Sequence, residues 1–121
     1  MSFPELEVLD IQALESIQMI KSSDGGLLNK LIALYLEESP MLISQIAEGI
    51  KNSDVGQVLA SAHSLKSTSA TLGAMALSDL ARQIETMARQ SEIGGAGSVL
   101  EMIREEHRKV VSDLEKVSGM K

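Results

Sequence analysis

The sequence predicts an all-α protein, an antiparallel up-and-down four-helix bundle with a short extra helix at its N-terminal end. Helix-forming residues supply most of the 44% apolar content. The whole sequence contains only two prolines and two aromatic residues. Glycine and polar clusters divide the chain into helix-length segments. Within each segment the apolar residues recur at intervals of three and four, which is the spacing of one helix face.

The first two segments predict a short helix followed by an unusually long one. The short helix covers about residues 9–20, and Asp10 is a candidate N-cap. The long helix begins after Asp24 and continues to about residue 50, with Pro40 in its middle. Because the apolar spacing continues past the proline, we expect a kink in the turn before it and no break in the helix.

The other three segments complete the predicted bundle. Asp54 is a candidate N-cap for the third helix, whose apolar stripe should face the core. The fourth helix begins at Ser78 or in the preceding turn, and the fifth follows a glycine-rich loop with Ser98 as its cap. The loops are short, so consecutive helices should be antiparallel neighbours.

Length and composition predict one domain over residues 1–121, with the bundle at about 24–117. A chain of this length can bury a sufficient core without disulfides or a structural metal, and it contains no cysteine. Its net charge of −6 argues against nucleic acid and anionic membranes as partners. No apolar run approaches the ~20 residues that span a bilayer. We therefore expect a cytoplasmic monomer without cofactor or metal.

The polar face of the third helix carries the strongest candidate for a functional site. His63 is surrounded by small side chains, except for Lys66 one turn away. A neutral imidazole is a nucleophile that could accept a phosphoryl group, and the ammonium group of Lys66 could stabilise the phosphoryl oxygens. The spacing alone is also compatible with an ordinary surface histidine.

The residues around His63 resemble the histidine-containing phosphotransfer (HPt) family. Residues 62–74 read Ala-His-Ser-Leu-Lys-Ser-Thr-Ser-Ala-Thr-Leu-Gly-Ala. They are similar to the family pattern of His, any residue, Leu, Lys and Gly, followed by small residues and a Gly-Ala pair. The resemblance covers about residues 24–117, including the proline-containing helix, and Ser67 stands where the family usually has glycine.

The resemblance implies a phosphorelay intermediate of two-component signalling. His63 would accept a phosphoryl group from the aspartyl phosphate of one receiver domain and pass it to the aspartate of another, while Lys66 stabilises the group. The partners would be response-regulator receiver domains, free or within a hybrid sensor kinase. The implied docking surface comprises Leu59, Ala60, Ser64, Ser67, Ala70, Arg82 and Arg89.

Several assignments stay open at the level of sequence. Glu85 on the fourth helix could orient the imidazole through its N–H group or simply be solvated. Arg82 and Arg89 could attract a partner or be ordinary surface charges.

The alternative function is a helical adaptor that docks a receiver or kinase domain without being phosphorylated. An autonomous kinase or hydrolase is disfavoured, because the glycine-rich stretch at 94–97 lacks the Lys-Ser/Thr of a nucleotide loop and is interpreted as a C-cap and linker.

The second histidine and the methionines have structural interpretations. His107 follows Glu105 and Glu106, but consecutive helix residues diverge by about 100° and cannot converge on one metal. We expect His107 to be partly buried at the edge of the bundle. Met87 and Met102 fall on core stripes, whereas the pattern leaves Met41 and Met75 free to line an exposed docking patch. 

Overall fold

Five α-helices make up most of residues 3–20 and 26–119, the part of the chain that the computed structural model describes. They are α1 (Ile11–Ile20), α2 (Gly26–Lys51), α3 (Val55–Thr71), α4 (Met75–Arg89) and α5 (Ala96–Ser118), with a 3₁₀ turn at Ile93–Gly95. No strand occurs in these ranges. The all-α prediction is confirmed, whereas the predicted start of α2 after Asp24 lies outside the described residues.

The four long helices enclose one core. Helix α3 packs against α2 and α4, and α5 closes the bundle by packing against the same two helices. The long helices bury most of the apolar residues that their spacing assigns to the core, and the largest fully buried side chains include Ile32, Ile46, Leu65, Ile84 and Leu114. This arrangement leaves α3 and α4 side by side, with one solvent-facing surface between them.

The α2–α3 crossing depends on a glycine. A Cβ atom added at Gly49 would lie 2.7 Å from Cγ2 of Val58 and 3.2 Å from the carbonyl oxygen of Asp54. Gly49 therefore allows the two helices to approach closely where α3 begins. Asp54 caps α3 as predicted, since its Oδ1 accepts a hydrogen bond from the amide of Gln57 at 3.1 Å.

Of the helix starts predicted around Ser78 and Ser98, the first is confirmed and the second is wrong. Helix α4 begins one turn before Ser78, after Ala74, which was one of the two predicted positions. The assignment of Ser98 as the cap of α5 is wrong, because α5 begins at Ala96 after Gly95. The interpretation of residues 94–97 as a C-cap and linker is also wrong, because Gln90 is the C-cap of α4, residues 94 and 95 belong to the 3₁₀ turn, and residues 96 and 97 belong to α5. Ser98 lies inside the first turn and donates to the carbonyl of Gly95 at 3.3 Å.

The long helix α2 continues without a break through Pro40, as the apolar spacing predicts. Pro40 is exposed, so its ring faces solvent and not the core. The predicted kink stays a prediction. No helix in the described part of the chain is both long and apolar enough to cross a bilayer.

Some apolar residues that the spacing assigns to the core lie on the surface. Met102 is 56% exposed because it projects from the outer side of α5, so its placement in the core was wrong. In α1 only Leu14 and Ile17 are buried, whereas Ile20 is 69% exposed. Among the long helices, α1 contacts mainly α2, so a single face with two buried residues is enough to hold it.

The N-terminal segment is attached to the bundle by backbone hydrogen bonds that periodicity could not predict. Asp113 on α5 is fully buried and accepts bonds from the amides of Glu7, Val8 and Leu9 at 3.0, 2.7 and 3.0 Å. The amide of Asp10 donates to the carbonyl of Gly73 at 2.9 Å. The segment thereby connects α5 with the turn between α3 and α4.

Candidate functional site

His63 lies in the middle of α3 on the surface shared with α4. Its side chain is 58% exposed, the largest exposure among the ionisable groups gathered around it except for Arg89. Ala62 and Leu65 on either side of it are buried, because they belong to the core stripe of α3. His63 therefore projects outward from a helix whose other faces hold it rigidly in the bundle.

Glu85 on α4 lies directly beneath the imidazole. Its side chain is only 3% exposed, because it belongs to the buried stripe that includes Ala81 and Ala88 and faces α3. Oε2 of Glu85 is 2.7 Å from Nδ1 of His63. Of the two interpretations that the sequence left open, the structure contradicts the solvated one.

Two cations complete the contacts of this buried carboxylate. Nζ of Lys66 lies 2.7 Å from Oε1, and Nη2 of Arg89 lies 2.9 Å from Oε2. Lys66 lies on α3, three residues after His63, and reaches the carboxylate across the contact between the two helices. Arg89 lies on α4, four residues after Glu85, and reaches the carboxylate along the same helix. Every oxygen of Glu85 thus has at least one charged or polar donor, as a buried carboxylate requires.

This environment keeps Glu85 ionised. The hydrogen bond from Lys66 is the largest influence and lowers the pKa of Glu85 from 4.5 to about 2, with His63 and Arg89 acting in the same direction against the effect of burial. An ionised carboxylate can only accept hydrogen bonds, so Nδ1 of His63 must carry the hydrogen that lies between them. In the neutral ring, Nε2 then carries the lone pair.

The structure brings together four of the residues that the sequence singled out, and places the others around them. His63, Lys66, Glu85 and Arg89 form one connected cluster, which we call the His63 cluster. Arg82 is not part of it, because its guanidinium pairs with Asp79 on the same helix. The remaining predicted docking residues are exposed or half-buried on α3: Leu59, Ala60, Ser64, Ser67 and Ala70.

Lys66 makes a contact that the sequence did not predict. Its ammonium group contacts Glu85 and does not project freely into solvent, and its side chain is 30% exposed. Sequence reasoning also missed the direct contact of Arg89 with Glu85. The signal was present in the spacing, because an acidic and a basic residue four positions apart on a helix commonly pair.

His107 is placed at the edge of the bundle, as predicted. It is half-buried on α5, with its Nε2 2.8 Å from Oγ of Ser39 and its ring 6.3 Å from that of Tyr35 between centroids. Burial lowers the pKa of His107. Among the described residues, no three histidine or acidic side chains are grouped as a metal site would require.

Comparisons with known proteins place the chain in a family. A search of curated protein sequences gave no significant match. Among solved structures, the chain is similar to the crystal structure of histidine-containing phosphotransfer protein B (HptB) from Pseudomonas aeruginosa PAO1. The TM-score is 0.86 with 21% identity, and the match covers 94% of this chain and 96% of that chain, which shows a shared fold. The family model of the Hpt domain matches residues 30–116. The chain therefore belongs to the Hpt domain family, whose members carry phosphoryl groups on histidine in phosphorelays.

Proposed function

We propose that His63 is the phosphoacceptor of this chain. In this proposal it takes a phosphoryl group from the aspartyl phosphate of one receiver domain and passes it to the aspartate of another. The observation that carries the proposal is the contact of 2.7 Å between Nδ1 of His63 and the buried carboxylate of Glu85. This contact selects the tautomer with a lone pair on Nε2, on a ring that is 58% exposed.

The transfer step follows from this tautomer. The lone pair of Nε2 forms a bond to phosphorus while the bond between phosphorus and the aspartyl oxygen breaks, and the aspartate leaves as a carboxylate. The ring keeps its hydrogen on Nδ1 and becomes positively charged. Glu85 faces that nitrogen and stabilises the new charge, as a fixed carboxylate does for imidazolium groups. Transfer to the second receiver is the reverse of this step.

Lys66 and Arg89 share one role in the proposal, and Lys66 has a second. Both hold Glu85 in place, at 2.7 and 2.9 Å. An ammonium group has three N–H donors, and Lys66 uses one of them for Glu85. Its partial exposure leaves the other donors available to the oxygens of a phosphoryl group on Nε2. The same lysine can therefore position the histidine's partner and neutralise the transferred charge.

The surface around His63 suits a transient protein partner. Ala60, Ser64 and Ser67 are exposed and small, so the backbone of a receiver domain can approach the imidazole closely. Arg82 and Arg89 contribute exposed guanidinium groups near this surface, each paired with a carboxylate of α4. We propose that this surface docks both donor and acceptor receivers, free or within a hybrid sensor kinase, and that the chain acts as a cytoplasmic monomer without nucleotide or metal of its own.

Labelling with phosphorylated receiver domains tests the proposal. A panel of receivers carrying radioactive phosphate should label the chain with a group that is labile in acid and stable in alkali, whereas ATP alone should not. His63→Gln should abolish the label and His107→Gln should retain it, because the ring of His107 is half-buried against Ser39. Receiver binding without any label would favour the adaptor function, and a label that survives His63→Gln would exclude His63.

A further inference from the structure

We infer that the hydroxyl group of Ser67 binds the phosphoryl group on His63, as an additional positioning residue beside Lys66. The inference rests on the proposed function, since it concerns the state in which Nε2 of His63 carries phosphate. It assigns a specific task to the position at which this sequence departs from the glycine of the family pattern.

The hydrogen bonds of the α3 hydroxyl groups single out this residue. Four of these groups are occupied: Ser61 donates to Gln45, Ser69 is paired with Tyr35, and Thr68 and Thr71 donate to the carbonyls four residues before them. Within the described part of the chain, the hydroxyls of Ser64 and Ser67 have no hydrogen-bond partner. Both serines are exposed, and both lie on the helix surface that carries the imidazole.

Helix geometry favours Ser67 over Ser64. Ser67 follows His63 by four residues, so the two side chains are neighbours on the same face. In addition, Cα–Cβ bonds tilt toward the N-terminus of a helix, which directs the side chain of Ser67 toward His63. Ser64 is the next residue along and is rotated by about 100° away from His63. The unoccupied hydroxyl that can reach a group on the imidazole is therefore that of Ser67.

A phosphoryl group on His63 has more acceptor sites than Lys66 alone can fill. Its ammonium group is bound to Glu85 at 2.7 Å, and Arg89 is bound to the same carboxylate at 2.9 Å. Each cation thereby uses a donor for the carboxylate beneath the ring, and Lys66 has only its remaining N–H donors to offer a phosphoryl group. A phosphoryl group on Nε2 has three oxygens that face solvent and the α3 surface, and each accepts hydrogen bonds. The hydroxyl group of Ser67 supplies a further donor from α3 itself, one turn after His63.

A titration of the phosphorylated chain tests this contact without a receiver. Phosphoramidate can label the histidine directly: Nε2 bonds to phosphorus, the nitrogen–phosphorus bond of the reagent breaks, and ammonia leaves. The ³¹P resonance of the product is then followed against pH. A donor to the phosphoryl oxygens favours the dianion. Ser67→Ala should therefore move the titration midpoint upward by about 0.5 pH unit, about a threefold change in proton affinity, as expected for one partly exposed hydrogen bond.

Two further variants separate the loss of the Ser67 hydroxyl group from a change in helix stability. Ser67→Gly also removes the hydroxyl but weakens the helix by about 0.5 to 1 kcal/mol relative to alanine. The two variants should therefore share one midpoint while their melting temperatures differ. Ser112→Ala removes an exposed serine hydroxyl from α5 and should leave the midpoint unchanged.

The outcomes distinguish this inference from the proposed function. If the chain labels on His63 and the midpoint is the same in wild type and Ser67→Ala, the hydroxyl does not contact the phosphoryl group and the inference is wrong. A shift caused by Ser64→Ala in place of Ser67→Ala would overturn it equally. If phosphoramidate does not label His63 at all, both the inference and the proposed phosphoacceptor fail.

Discussion

Nδ1 of His63 lies 2.7 Å from Oε2 of Glu85, an exposed imidazole resting on a carboxylate that is almost completely buried. The two residues belong to adjacent helices, so the relative position of α3 and α4 determines the length of this hydrogen bond. Ser78 helps to fix that position, because its Oγ donates to the carbonyl of Lys66 at 2.8 Å. The buried carboxylate of Glu85 thus determines the tautomer of His63, and with it the lone pair on the exposed Nε2.

Replacing Glu85 by glutamine should slow phosphotransfer while preserving the fold. Glutamine has the same shape, but it is neutral and cannot stabilise the positive ring as a carboxylate does. We expect the rate of transfer from a phosphorylated receiver to fall by about tenfold, which corresponds to about 1.4 kcal/mol of barrier. Rapid-quench measurement of labelled chain over time checks the rate.

Glu92 provides a matched control for this variant. It is an exposed glutamate located just after α4, outside the His63 cluster, so Glu92→Gln changes the net charge equally without touching the imidazole. Its transfer rate should equal that of the wild type. Equal rates for all three proteins would contradict the assigned role of Glu85.

The lowered pKa of Glu85 predicts a specific acid dependence of stability. Its pKa is about 2 in the folded chain, against 4.5 ordinarily, so the unfolded chain takes up the proton first as the pH falls. The stabilisation is complete above pH 4.5 and is lost progressively down to about pH 2. It amounts to something on the order of 3 kcal/mol.

Urea unfolding at several pH values checks this dependence. The free energy of unfolding should fall more steeply between pH 4.5 and 2 in the wild type than in Glu85→Gln, which has no proton to take up at this position. Asp113, whose pKa is also lowered, contributes to both proteins and cancels in the difference. Parallel curves would show that the cluster does not hold Glu85 ionised.

The helices could be predicted from the sequence because their apolar spacing reports the faces that are buried. The position of His63 on the polar face of α3 followed from the same spacing, and the resemblance added its chemistry. The burial of Glu85 could not be predicted, because an acidic residue at the edge of an apolar stripe is compatible with solvent or with a partner. Only the packing of α4 on α3 decides whether Glu85 is solvated or buried against a partner.

Other parts depended on contacts between residues distant in sequence. The hydrogen bonds that the amides of Glu7, Val8 and Leu9 donate to Asp113 join residues more than 100 positions apart, and no local pattern signals them. The start of α5 was missed for a different reason. Ser98 has the chemistry of a cap and would start the helix at Val99, but α5 follows the 3₁₀ turn and begins three residues earlier, at Ala96.

Lys66→Ala should slow phosphotransfer and also lower stability moderately. From the sequence alone, a solvated lysine would contribute no more than ~0.5 kcal/mol. The contact with buried Glu85 changes this expectation, although the carboxylate keeps His63 and Arg89 as partners. We expect a loss of about 1 to 2 kcal/mol, smaller than for a fully buried pair that loses its only partner.

A double-mutant cycle separates this contact from general effects of the lysine. In the Glu85→Gln background, Lys66→Ala should cost less stability than in the wild type, because the charged partner is gone. Chemical denaturation of the four proteins gives the coupling energy. Additive losses would indicate that the ion pair between Lys66 and Glu85, at 2.7 Å, contributes nothing to stability.

Asp113→Asn should loosen the N-terminal segment without changing phosphotransfer. Burial acts to raise the pKa of Asp113, but the amides of Glu7, Val8 and Leu9 outweigh it and leave the pKa below its ordinary value. Asparagine offers one acceptor oxygen and an amide group that faces other donors, so at least one backbone N–H loses its partner. The free energy of unfolding should fall by about 2 kcal/mol.

Amide hydrogen exchange checks the segment directly and should accelerate at residues 7–9 in Asp113→Asn. The control Ser112→Asn, an exposed change next to Asp113 on α5, should leave both the exchange rates and the free energy of unfolding unchanged. Because Asp113 lies outside the His63 cluster, the transfer rate should stay at the wild-type value. Unchanged exchange at residues 7–9 would mean that the three hydrogen bonds do not hold the segment in solution.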